Sequence, residues 1–198
     1  MSALSGTGYA VIGLLSVRSW STYELAQQVQ RSLGWFWPRT ERKIYDEARR
    51  LVERGYASSA NEMVGRRRRT MYSITPAGRT ALAEWLGADS APMKLESEAL
   101  VRVFFADGGS LDDLLATLEG MRAEAEEKLT VLWGMAEALD EPAYEFSRRL
   151  QINALGLRFQ LDHHRMVAEW ATWAYEQAAG WNSTIDLGGW DWRNALRS

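Results

Sequence analysis

The sequence predicts a mainly α-helical protein: an N-terminal winged helix-turn-helix (a three-helix core plus a β-hairpin wing) joined to a C-terminal long-helix antiparallel dimerisation domain. Three observations predict it. A helix-length segment between Pro38 and Gly55 is apolar on one side and cationic on the other. A run of arginines, Arg66, Arg67, Arg68 and Arg69, lies between two short segments of strand character. Beyond Ser110, apolar residues recur every three or four positions over two stretches too long for the first part of the chain to cover. The implied division is a winged domain over 1–90, a helical dimerisation and effector domain over 91–180, and a tryptophan-containing tail over 181–198.

The elements follow in order. Tyr9 to Ser16 is a compact apolar stretch that reads as a buried first helix. Ser21 and Glu24 stand three apart in a capping-box pattern, which starts a second helix that ends near Gly34. Its first turn carries Ser21, Thr22 and Tyr23, which serve either as caps or as phosphate contacts at a helix N-terminus. In the third helix, Pro38 fits the entry and Gly55 the exit. Ile44, Ala48, Leu51 and Val52 form its apolar stripe. A helical wheel at about 100° per residue places Arg39, Arg42, Lys43, Asp46, Arg49 and Arg50 opposite that stripe. Thr40 and Tyr45 complete the candidate surface.

A solvated helix face accounts for such a fan of cations taken alone. The arginine run decides between the two readings, because four adjacent guanidinium groups repel one another unless an anionic partner meets them. Ala57 to Ala60 and Thr70 to Ile74 are the flanking strands, with Asn61 and Gly65 as turn formers and the arginines at the tip of the wing. Thr75 and Pro76 then read as the cap and first position of another helix, running through Trp85 and Leu86 to a linker at Gly87–Pro92.

Composition narrows the function classes. The 198 residues are 46% hydrophobic and 25% charged, as in ordinary globular proteins, and no apolar run has the length of a membrane span. There is no cysteine, which removes disulfides and thiolate chemistry and agrees with a cytoplasmic setting. The net charge of −3 divides unevenly: residues 1–90 hold 13 basic and 8 acidic side chains, and residues 91–198 hold 10 and 18. Only the first part therefore suits a polyanion. Nucleotide-binding glycine motifs, nucleophile elbows and zinc-protease motifs are absent from the sequence, so no enzymatic activity is expected. No cofactor is expected either. His163 and His164 are adjacent and point about 100° apart on a helix, a poor arrangement for sharing a metal, so no metal site is expected.

The set Tyr9 to Leu15, Ser21-Thr22-Tyr23-Glu24-Leu25, Ile44-Tyr45, Arg50-Leu51, Gly55, Arg69 to Tyr72, Ile74-Thr75, Gly78-Arg79 and Trp85-Leu86 resembles the PadR-like winged-helix transcriptional regulators. Glu98 to Phe105 resembles the start of that family's C-terminal dimerisation region. Two positions depart from the family pattern: Thr22 stands where a glycine is usual, and Asp46 where a proline is usual. An acidic residue on the outer face can read a cytosine amine or repel a wrong phosphate, so the departure bears on the DNA sequence recognised.

After Ser110 and Asp113, a helix of roughly 30 residues carries Leu111, Leu115, Leu118, Ala125, Leu129, Leu132, Ala136 and Leu139. A second, restarted by Pro142 and roughly 37 residues long, carries Phe146, Leu150, Asn153, Leu157, Leu161, His164, Ala168, Ala171, Tyr175 and Ala178. Helices of that length bury their stripes against each other and a second copy, so a homodimer follows, and the resemblance implies the same. Asn153 either fixes register or faces a helix gap. The resemblance further implies release from DNA by a phenolic or planar lipophilic effector. Trp35, Trp37, Trp170 and Trp173 are the candidates to line its site, against ordinary core packing for the ten tryptophans.

These readings converge on a homodimeric repressor of double-stranded DNA targets with a pseudo-palindromic operator. Arg39, Arg42, Lys43, Arg49 and Arg50 are assigned to the major groove, Tyr45 to a phosphate at its edge, and Arg66 to Arg69 to the wing's backbone or minor-groove contact. The alternative is a winged-helix adaptor that uses the same arginines on an acidic protein.

Overall fold

The computed structural model describes the chain except for residues 1–3, 65–66, 142–143, 187 and 198, so the expectations for Gly65, Arg66 and Pro142 lie outside the described residues. The chain divides into two compact units, Met1–Pro92 and Met93–Ser198.

The first unit begins with α1 (Gly6–Val17), capped by Ser5, whose hydroxyl accepts from the Gly8 amide. Val11, Ile12 and Leu15 face inward with at most 2% exposure. A two-residue strand β1 (Trp20–Ser21) leads directly into α2 (Thr22–Ser32), whose capping box forms as the Ser21/Glu24 spacing predicts. Then come α3 (Glu41–Glu53), the hairpin strands β2 (Ala57–Val64) and β3 (Arg67–Ile74), and α4 (Pro76–Leu86), with Thr75 as its cap and Pro76 at its start. Leu25, Ala26 and Val29 from α2 meet Ile44, Ala48 and Leu51 from α3 in one fully buried core. Each such large aliphatic stabilises the fold by roughly 1.5–3 kcal/mol of removed apolar surface.

β3 is the central strand of an antiparallel sheet ordered β1-β3-β2. β1 is an addition to the predicted hairpin. At two residues it is too short to carry an alternating pattern, and pairing of Trp20 with Tyr72 creates it. Trp20 is anchored by burial and by its Nε1–H, which donates to the Leu14 carbonyl at 2.8 Å. Gly55 ends α3 with φ +76°, the left-handed turn that sends the chain into β2.

Three boundaries differ from expectation. α3 starts at Glu41 with Thr40 as its cap, so Pro38 and Arg39 precede the helix. The hairpin strands extend further than predicted, which puts Asn61 inside β2 and Arg67, Arg68 and Arg69 inside β3 instead of at a tip. Cross-strand partners extend them: Glu62 faces Arg69, and Thr70 Oγ1 donates to Asn61 Oδ1. After α4 the chain is without regular structure from 88 to 97, a longer connection than Gly87–Pro92.

In the second unit, α5 (Glu98–Phe104) and a 3₁₀ turn at Ala106–Gly108 precede α6 (Leu111–Leu139), which opens with a Ser110/Asp113 capping box. α7 (Leu150–Ala178) runs antiparallel to it, so Leu114 and Leu118 near the start of α6 pack with Ala178 at the end of α7. Both helices have 29 residues, about 44 Å at 1.5 Å per residue. α7 starts later than the predicted helix, since Phe146 lies before a 3₁₀ turn at Ser147–Arg149 that reverses the chain. Asn153 donates to the Tyr144 hydroxyl at 2.8 Å, pinning that reversal to the first turn of α7. A small-residue ridge of Ala168, Ala171 and Ala178 lets α6 approach closely.

The tail folds back onto this unit. Trp181 packs against the Leu114–Leu118–Ala178 cluster, and Trp190 lies 5.1 Å from it, centroid to centroid. The Trp190 Nε1–H donates to Gln177 Oε1 and the Thr184 hydroxyl to the Gly109 carbonyl. The chain ends its described part in a short α8 (Trp192–Ala195).

Candidate nucleic-acid interface

The predicted contact residues of the first unit fall into groups that sequence alone does not separate. At the start of α2, Ser21 is buried, and its hydroxyl accepts from the Glu24 amide while the Glu24 carboxylate accepts from the Ser21 amide. That is the cap reading, and it occupies the hydroxyl. These hydrogen bonds with Ser21 hold the Glu24 carboxyl below its ordinary range; burial opposes them, and the charges of Arg18 and Arg69 add a smaller lowering. Thr22 is half-buried, whereas Tyr23 is 62% exposed and accepts a hydrogen bond from Gln27.

On α3, Arg42 and Arg49 project into solvent, and among the described residues neither has an intramolecular partner. Tyr45 donates its hydroxyl to Glu41 at 3.2 Å. Burial first, then that hydrogen bond and charge, raise its pKa, so the phenol remains a donor. Asp46 is half-buried beside it. Thr40 is occupied as the cap, accepting from the Lys43 amide.

Arg39 departs from the predicted fan. Its guanidinium donates to the Thr7 hydroxyl at 3.2 Å and the Pro38 carbonyl at 2.6 Å, and lies over the Trp37 ring at 4.5 Å. The residue is therefore a strap between α1 and the segment leading into α3. The physical reason is the position of Thr40: once the helix begins there, Arg39 no longer obeys the wheel.

On the wing, Arg68 is exposed opposite Met63, and Arg69 points to the other side of the strand, between Glu24 at 3.9 Å and Glu62 at 3.7 Å. Arg66 lies outside the described residues, as does the side chain of Arg67.

One residue of this surface escaped the sequence reading. Glu47, on α3, is only 4% exposed, although it sits among the cations. Its Oε1 accepts from Ser5 at 3.1 Å and lies 3.4 Å from Lys43 Nζ and 3.3 Å from Arg50 Nη1. The available signal was its spacing, four residues after Lys43 and three before Arg50, which puts all three on one flank of the helix.

Of the four tryptophans considered for an effector, Trp35 and Trp37 belong to the first unit and Trp170 and Trp173 to the second. Trp35 donates to the Arg31 carbonyl, and Trp37 rests on Gly6 beneath Arg39. Trp170 packs on the Leu114–Leu118–Ala178 cluster, while Trp173 is half-buried outside it. A cavity of about 660 Å³ in the second unit lies between α5 and the start of α6, lined by Val101, Phe105, Leu114 and Thr117 among others, and by none of these four tryptophans. His164 is buried between α6 and α7 and His163 stacks on Phe159; no group of side chains suited to a metal occurs among the described residues.

Comparison with known proteins supplies the context. Residues 11–84 match the model of the transcriptional regulator PadR-like family, and residues 96–178 match that of the virulence activator alpha C-terminal region. The chain is 26% identical over 133 residues to the negative transcriptional regulator PadR of Bacillus subtilis, covering 66% of this chain and 73% of that protein. Its fold is that of Bacillus subtilis PadR solved with operator DNA, at a TM-score of 0.74 and 22% identity over 86% of this chain and 98% of that one. The same protein solved with p-coumaric acid superposes at a TM-score of 0.70, also at 22% identity, over 87% and 98%.

Proposed function

The chain belongs to the PadR-like family of DNA-binding transcriptional regulators, and from that premise we propose that it is a cytoplasmic, non-catalytic repressor that occupies a pseudo-palindromic operator as a homodimer. The observation that carries the reading is the solvent-facing surface of α3, where Arg42, Arg49 and Arg50 project from a helix whose opposite face is the core. A helix held in that way can enter a major groove and present guanidinium groups to guanine edges and phosphates. Tyr23, and Tyr45 once a phosphate takes the place of Glu41 as its acceptor, are read as phosphate donors and Arg68 as the wing's contact with the backbone. Ser21, Thr40 and Arg39 are read as supports of the surface, given their occupied hydrogen bonds.

The second unit supports the dimer. Val131, Trp133, Ile152, Leu155 and Phe159 on α6 and α7 are each at least 48% exposed in the single chain, a large apolar surface to leave in water. A second copy covering it would join two α3 helices in one molecule, a pair suited to half-sites one turn of DNA apart, about 34 Å. A small aromatic acid is the proposed releasing effector, by analogy with the relative solved with p-coumaric acid.

The test is fluorescence anisotropy of the full chain on operator DNA selected from a random-sequence pool, against shuffled DNA, across a salt series. A preference of about 10³ or more with a steep salt slope is expected. An adaptor that uses the arginines on an acidic protein would show neither the preference nor a selected consensus.

A further inference from the structure

We propose that Glu47 is a specificity-determining positioning residue: an internal stand-in for a phosphate that holds Lys43 and Arg50 in fixed places on α3 and suppresses their attraction to DNA of the wrong sequence. The inference rests on the DNA-binding reading of α3.

The carboxylate is the fixed member of the cluster. It is buried to 96%, counting from its 4% exposure, and its Oε1 accepts from the Ser5 hydroxyl, which itself caps α1 by accepting from the Gly8 amide at 3.0 Å. Its Oε2 lies over the first turn of α1, 3.4 Å from where a side chain on Gly8 would begin. That is the positive end of α1, so a negative charge is held there by the helix as well as by the hydroxyl. The cations are the exposed members, with side chains 44% and 60% exposed for Lys43 and Arg50, and both reach back to the one anchored oxygen.

Two consequences follow for a DNA backbone approaching α3. The pair presents one net positive charge where two free cations would present two, which weakens attraction to any duplex whatever its sequence. The pair is also already ordered, so a phosphate arriving along the direction the tethered groups leave open gains its contact with less loss of side-chain freedom. The first effect acts on all DNA and the second only on DNA docked in register. Together they raise the ratio of specific to non-specific binding.

The experiment compares the full-length wild type with Glu47→Gln and Ser5→Ala on the selected operator and on shuffled DNA, over a salt series. Wild-type preference is established first, and its absence would remove the DNA reading before Glu47 is at issue. For Glu47→Gln, shuffled DNA should bind about 3–10-fold tighter, the salt slope on it should steepen by about one, and the preference should fall about tenfold. Ser5→Ala keeps the charge but loosens its anchor; it should lower the preference by a smaller factor with the salt slope unchanged, and it carries the test should Glu47→Gln fail to fold. A merely structural role would weaken both DNAs alike with no change in slope. That result, or full wild-type preference in both variants, overturns the proposal.

Discussion

Lys43, Arg50 and Arg69 each reach a carboxylate, and Arg39 reaches a hydroxyl and an aromatic ring, while Arg42 and Arg49 reach neither among the described residues. At the scale of single residues, then, the basic surface is graded. His164 offers a separate test at this scale. Burial, then the charges of Lys128 and His163, push its pKa down from 6.5 to about 4, with Glu124 acting in opposition. The folded state therefore favours the neutral imidazole. Its contribution is fully present above pH 6.5 and is lost as the pH falls toward about 4. Urea midpoints of the full chain should report a loss of about 1–3 kcal/mol between pH 7 and 4.5, and His164→Gln should flatten it. Glu24 and Asp113, whose pKa values are lowered mainly by hydrogen bonds from Ser21 and Ser110, act below their ordinary 4.5 and 3.8 and leave that window to His164. The cations were legible in the sequence because charge on one helix face is a periodic signal. Their partners were not, because Ser5 meets Glu47 across 42 residues of chain and no local pattern encodes that contact.

Among the elements, the long periodic ones were the most readable. α1, α2, α4 and α6 lie where caps and apolar spacing put them, since Ser21, Thr75 and Ser110 fix the starts of three of them by local hydrogen bonds. The errors fall where tertiary contacts set the boundary: β1 exists through its pairing with β3, and the wing strands lengthen through cross-strand partners. α7 starts late because the chain must first turn back toward α6. The join between α3, the wing and α4 is the tightest of these contacts. A side chain on Gly78 would begin 2.1 Å from the Tyr56 carbonyl and 2.9 Å from Ile74. Gly78→Ala must push α4 away from the root of the wing, and a loss of about 1–3 kcal/mol is expected from urea denaturation of the full chain. An unchanged midpoint would show that α4 moves aside freely.

For the whole molecule, the division at Pro92/Met93 separates a basic unit from an acidic one, as the charge count over the two halves of the sequence anticipates. If the second unit supplies the dimer contact, the fragment Met1–Pro92 should fold but bind a full operator at least about 10²-fold more weakly than the intact chain, because linked half-site contacts multiply affinity. Anisotropy on the same DNA measures this, and equal affinity would remove the dimerising role from the second unit. The tail has a different consequence. Two antiparallel helices joined by a turn come apart most readily from the end where their termini are loose. Here the last stretch of the chain is laid across that end, with Thr184 bonded to Gly109 and Trp181 wedged beside Leu114 and Leu118, and it lies beyond the matched region that stops at residue 178. The unit is thus fastened where it would otherwise unzip, so that loss of the Trp181 and Thr184 contacts frees this end of the helix pair first.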